Sequence, residues 1–198
     1  MKSNIRIRFD RISILMLLAL LIEEPLSYTA TLLLAAFLHE CGHFFVAHLL
    51  GIPISSLHIS ILGAQLELRD PLLSYRREWL LCFAGPLFSF AAAAVGGLLL
   101  LVFPNVPLLC HFVMTSCALG IVNLLPIGCL DGGRMFRAMC RQLLPHRAAS
   151  ILLESLSFIF LLILWMTSVY MMIRMGNSLK LFIFSFSLFF RFFVKNRV

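Results

Sequence analysis

Residues 28–50 form an almost unbroken apolar run, and its interruption is His39-Glu40-Cys41-Gly42-His43. A run of that length makes a helix able to cross the hydrocarbon of a bilayer. Such a helix satisfies its own backbone polar groups, but charge inside it is costly, so ionisable residues there signal function. HExxH puts two imidazoles one turn apart on one helix face, with a carboxylate beside them. That donor set suits a catalytic zinc ion; two interior histidines bonded to neighbouring helices are the alternative reading.

The remaining sequence supports a membrane setting. The chain has 198 residues, of which 61% are hydrophobic and only 13% charged. The charged share is about half that of a soluble domain, which leaves no room for a large water-soluble unit. We find no internal repeat, so the expectation is a single all-α polytopic membrane domain over residues 1–198. Six apolar segments can be drawn: residues 11–26, 28–50, 79–103, 106–125, 149–173 and 179–193.

The net charge of +7 invites a nucleic-acid reading, but its distribution argues for membrane orientation instead. Of sixteen Lys and Arg, all but Arg174 and Lys180 fall on one side of the six-segment scheme. The positive-inside rule makes that side cytoplasmic and places both termini there. The expected location is a bacterial cytoplasmic membrane. The first segment is short: residues 12–22 span about 16 Å at helical rise, less than the hydrocarbon core. Extending the helix back to Ile5 lengthens it, with Arg6, Arg8 and Arg11 snorkelling to the headgroups. Glu23-Glu24-Pro25 follows without a small-x-small cleavage pattern, which favours an uncleaved helix. The six cysteines contain no CxxC and read as packing residues.

After the motif helix the period changes. Leu57, Ile59 and Ile61 alternate with His58 and Ser60; after Gly63, Ala64, Leu66 and Leu68 alternate with Gln65 and Glu67. Period two around a glycine reads as a short hairpin. Its edge cannot face lipid, so it lines a cavity or lies at the interface. It is either a plain connection or a strand that pairs with an extended substrate. Two helices carry breaks or kinks: one at Gly85-Pro86, the other at Asn123-Leu124-Leu125-Pro126-Ile127-Gly128-Cys129-Leu130-Asp131-Gly132-Gly133.

Catalytic zinc takes three protein ligands and keeps one position open. With His39 and His43 as two of them, the nine acidic residues offer few candidates for the third. Asp131 is the best placed, near the cytoplasmic end of the fourth segment, while His43 lies about 10 Å from the cytoplasmic end of its own run. A turn or helix-cap aspartate is the alternative. Zinc at such a site polarises a carbonyl and lowers the pKa of water to about 7. Glu40 would accept the water proton and pass it to a leaving amine. A divalent-metal transporter and a catalytically inactive membrane scaffold are the competing classes. The first lacks acidic or His residues through the outer half, where His111 stands nearly alone, and the intact His, Glu and Asp set opposes the second.

Together, His39–His43 and Asn123-Leu124-Leu125-Pro126…Asp131-Gly132 resemble the two signatures of the site-2 protease family of intramembrane zinc metalloproteases. Ala84-Gly85-Pro86-Leu87 and Leu130-Asp131-Gly132-Gly133 look most like its six-helix branch, which includes the sporulation sigma-factor processing protease. The resemblance implies one catalytic zinc ion held by His39, His43 and Asp131, with Glu40 as the base. It implies that Asn123 positions substrate or stabilises the oxyanion, and that the family's substrate-binding edge strand corresponds to residues 57–68, with Leu57, Ile59 and Ile61. The partners implied are a membrane-associated protein substrate such as a pro-sigma factor, the lipid bilayer and regulatory membrane proteins, with no nucleic acid. Many relatives carry an amide residue shortly after Gly-Pro; this chain has Phe88-Ser89, so no substrate role carries over to that position. The sequence reaches Val198 just after the sixth segment, and neither a nucleotide-sensing domain nor a PDZ domain is expected.

Overall fold

Helix α1 (Leu26–Leu49) is closed at both ends by its own sequence. Pro25 lies just outside the first turn, and its carbonyl accepts from the Tyr28 and Thr29 N–H groups. At the other end Gly51 adopts φ +64°, the left-handed conformation that glycine takes without steric cost. Gly51 N–H then donates to His48 and Ile52 N–H to Ala47, the paired bonds of a Schellman termination. The usual apolar contact accompanies it: Ile52 and Ala47 are buried together with Leu81. The computed structural model describes residues 6–9, 25–52, 54–60, 63–68, 74–175 and 179–195.

Three strands form one sheet: β1 (Arg6–Phe9), β2 (Ile54–Ser60) and β3 (Gly63–Leu68). β1 pairs parallel with β2, and β2 pairs antiparallel with β3. Two sequence expectations change here. Arg6–Phe9 is a strand, so no helix reaches back to Ile5; the Arg-Ile-Arg-Phe alternation has the period of a strand. Leu57 and Ile59 lie on β2, the central strand, whose backbone is paired on both sides (Leu57 with Ile7 and Leu66, Ile59 with Phe9 and Ala64). A strand paired on both sides has no edge to offer a substrate. Ile61 lies outside the described residues, as does most of the first apolar segment.

The helices follow as α2 (Tyr75–Val102), α3 (Pro107–Asn123), α4 (Asp131–Leu143), α5 (His146–Met175) and α6 (Leu179–Lys195). α2 runs unbroken through Pro86, whose ring costs it one backbone donor without ending it. The second expected break is present: α3 stops at Asn123, and residues 124–130 are irregular up to Asp131. Helix α4 lies between the apolar segments 106–125 and 149–173, where the six-segment scheme has no element. Met135, Ala138 and Cys140 form its buried side, and Met139 and Leu143 are exposed.

Two compact units are distinguishable, residues 1–123 and 124–198. In the first, α1, α2 and α3 pack on one another. In the second, α5 buries Ala149, Leu153, Ser157 and Leu161 at four-residue intervals. Further along α5, the Ser168 and Ser185 hydroxyls meet at 2.8 Å and tie it to α6, the small-residue polar contact by which membrane helices associate. Among the described residues, three helices, Leu26–Leu49, Tyr75–Val102 and His146–Arg174, are long and apolar enough to cross a membrane, and Pro107–Asn123 is a shorter apolar helix. Phe37, Leu101 and Ile173 are more than half exposed, as lipid-facing side chains would be.

Candidate metal centre

Helices α1 and α2 meet at closely spaced small residues. A Cβ at Gly42 would lie 2.5 Å from the Ala84 carbonyl oxygen and 2.9 Å from Phe88 Cβ. The glycine inside the HECGH motif therefore lets the two backbones approach. That approach brings His39 and His43, both nearly fully buried, against α2. Their rings are 5.0 Å apart and cross at 77°.

Each ring is held by its Nδ1. His43 Nδ1–H donates to the Leu81 carbonyl at 2.8 Å, and His39 Nδ1 lies 2.8 Å from Ser89 Oγ. Pro86, one turn beyond Leu81, brings no N–H to the ladder of α2. A carbonyl only accepts, so His43 carries its proton on Nδ1 and presents a lone pair at Nε2.

Both Nε2 atoms point at Gly85. A Cβ built there would meet His39 Nε2 at 2.6 Å and His43 Nε2 closer still. Both rings thus pack directly on Gly85, which they can do because residue 85 has no side chain. Two imidazoles anchored through Nδ1, with their Nε2 atoms brought to the same place, suit a metal ion. Leu81, Gly85 and Ser89 follow one another at intervals of four on α2, opposite His39 and His43 at the same interval on α1. Glu40 sits between these histidines in sequence, half-buried on α1.

Sequence reasoning found His39 and His43 but missed that Leu81, Gly85 and Ser89 face them. The signal was present in the matching four-residue spacings, but reading it requires knowing that α1 and α2 are paired. Asn123 is buried at the end of α3, and its Nδ2–H donates to the Leu119 carbonyl at 3.0 Å.

Asp131 belongs to the second unit and opens α4, where a carboxylate suits the positive end of the helix dipole. Its backbone is tightly set. A Cβ at Gly132 would run into the Leu124 and Leu125 carbonyls, and one at Gly133 into the Ile127 carbonyl. The glycine pair thus seats the start of α4 on residues 124–128. The same loop is pinned by Ser157, whose Oγ accepts from Gly128 N–H at 2.9 Å and donates to the Leu153 carbonyl at 2.6 Å.

Comparison with known proteins agrees with this chemistry. A family model described as Peptidase family M50 matches residues 104–164. A Mycobacterium tuberculosis protein named as a zinc metalloprotease, Rip3, is 33% identical over 117 residues, covering 55% of this chain and 30% of its own. A Synechocystis protein also named as a zinc metalloprotease is 29% identical over 132 residues, covering 64% of this chain and 35% of its own. The chain therefore spans about a third of the length of these curated relatives. The solved structure of a site-2 protease from Methanocaldococcus jannaschii matches with a TM-score of 0.74 at 22% identity, over 100% of this chain and 94% of that one. A stretch of the chain thus matches the Peptidase family M50 model, and zinc is the metal in the names of both curated relatives. With its apolar helices, the chain is an integral membrane protein with the fold of a site-2 protease.

Proposed function

We propose that the chain is an intramembrane zinc metalloprotease that hydrolyses a peptide bond of a membrane-associated protein near its cytoplasmic boundary. One observation carries the reading: His39 and His43 aim both Nε2 atoms at the side-chain-free Gly85 while their Nδ1 atoms are held from behind. His39, His43 and Asp131 are the residues assigned to hold the ion, leaving one position open. Asp131 is supported by its carboxylate, by its fixed place at the start of α4 and by the motif in which it stands.

When bound, zinc supplies a Lewis acid for the scissile carbonyl and lowers the pKa of water. The chain's residues do the rest. Glu40 takes the proton from the attacking water and returns it to the leaving amine nitrogen. Asn123 uses one amide hydrogen on Leu119; its second is assigned to the substrate carbonyl or the oxyanion that develops from it. A transmembrane substrate must unwind before its carbonyls can be attacked. With β2 paired on both sides, an extended substrate would add at the outer edge of β3.

The near one-sided distribution of Lys and Arg supports cytoplasmic termini and a bacterial cytoplasmic membrane. The motif resemblance supports precursors of transcription regulators, such as a pro-sigma factor, as the substrate class, with membrane proteins as regulators. The test is co-expression of wild type and Glu40→Gln with membrane-associated pro-proteins, reading product ends by mass spectrometry. Glu40-dependent ends at the cytoplasmic boundary are the expected result; ends in the outer leaflet would contradict the orientation.

A further inference from the structure

Ser89 is fully buried on α2, and its hydroxyl lies 2.8 Å from His39 Nδ1. It occupies the stretch after Gly-Pro to which the sequence resemblance assigned no role. Ser89 is one helical turn beyond Gly85, so it faces α1 on the side where Gly85 meets the two Nε2 atoms. The two histidines are restrained unequally. His43 leans on a backbone carbonyl, which can only accept; His39 leans on a hydroxyl, which can accept or donate. When His39 ligates through Nε2, its proton must sit on Nδ1, and the Ser89 oxygen must then accept it.

We propose that Ser89 is a positioning residue for metal binding: its hydroxyl accepts from His39 Nδ1–H, fixes that tautomer and holds Nε2 beside that of His43. This rests on the reading of His39 as a zinc ligand. Removing the hydroxyl leaves the ring able to rotate or to carry its proton on Nε2, where it blocks ligation. Partners of this kind change metal affinity by about 10–100-fold.

The test compares Ser89→Thr with Ser89→Val in the full chain in detergent. The two side chains have the same shape and differ only in the hydroxyl, so any packing cost is shared. Zinc affinity is read by competition with a graded chelator, the visible spectrum is recorded after cobalt substitution, and melting is followed for the metal-free forms. Thr is expected to hold zinc like wild type, and Val about 10–100-fold more weakly with an altered cobalt spectrum, while the two metal-free proteins melt alike. Equal zinc affinity and equal spectra for Thr and Val, in a wild type that binds zinc, overturn the role of Ser89 alone. A wild type that binds no zinc overturns the proposed function and this inference with it. A Thr–Val difference confined to melting assigns Ser89 to helix packing and also overturns the proposal.

Discussion

The Leu81 carbonyl accepts a hydrogen bond from His43 Nδ1–H at 2.8 Å, across the contact between α2 and α1. No side-chain substitution removes that acceptor, so the tautomer of His43 is set by backbone. The place of the two Nε2 atoms, by contrast, depends on glycine at position 85.

Gly85→Ala is therefore expected to abolish zinc binding while leaving helix content intact. The added methyl group would fall on the two nitrogens that face residue 85. Zinc content of the purified variant checks this; full occupancy would show that the ion sits elsewhere.

Gly42→Ala acts on packing. Its Cβ would press on the Ala84 carbonyl oxygen and on Phe88, one of them backbone that cannot rotate away. Overpacking of this kind costs about 1–3 kcal/mol. Thermal melting in detergent should fall, and zinc affinity with it, as α1 and α2 move apart.

Ser157→Ala tests the anchoring of the loop before α4. It deletes the Ser157 acceptor of the part-buried Gly128 N–H, a bond worth about 0.5–1.5 kcal/mol. Faster hydrogen exchange at the Gly128 amide is expected, together with a lower melting temperature. Unchanged exchange would remove Ser157 as the anchor.

Asp131→Ala should weaken zinc binding by orders of magnitude if Asp131 is the third ligand, since two histidines alone make a poor site. As the first residue of α4 it also favours the helix start, by about 0.3–1 kcal/mol. Chelator competition and melting separate the two effects: a small stability loss with undiminished zinc affinity would make it a helix-start residue only.

The sequence made His39, Glu40 and His43 legible because their relation is local, fixed by one helical turn. The partners of those residues were not legible: Leu81, Gly85 and Ser89 acquire meaning only once α1 and α2 are paired. Helix α4 was hidden for another reason. Arg134, Arg137 and Arg141 look like a cytoplasmic loop when basic residues are counted, although Met135, Ala138 and Cys140 bury one side of a helix. Gly132 and Gly133 stand in the stretch expected to break a helix, yet they permit close packing at the start of a new one. Arg6–Phe9 was drawn as a helical extension although its alternation was that of a strand. In each case a polar composition obscured a period.

The central claim is that Glu40 works as a base beside a zinc ion held by the adjacent histidines. The measurement that tests it most directly is cleavage of a membrane-spanning protein substrate by purified wild type and Glu40→Gln, with zinc content determined in the same samples. The account predicts equal zinc in both proteins, with cleavage by wild type and none by Glu40→Gln. Cleavage retained by zinc-loaded Glu40→Gln would contradict it.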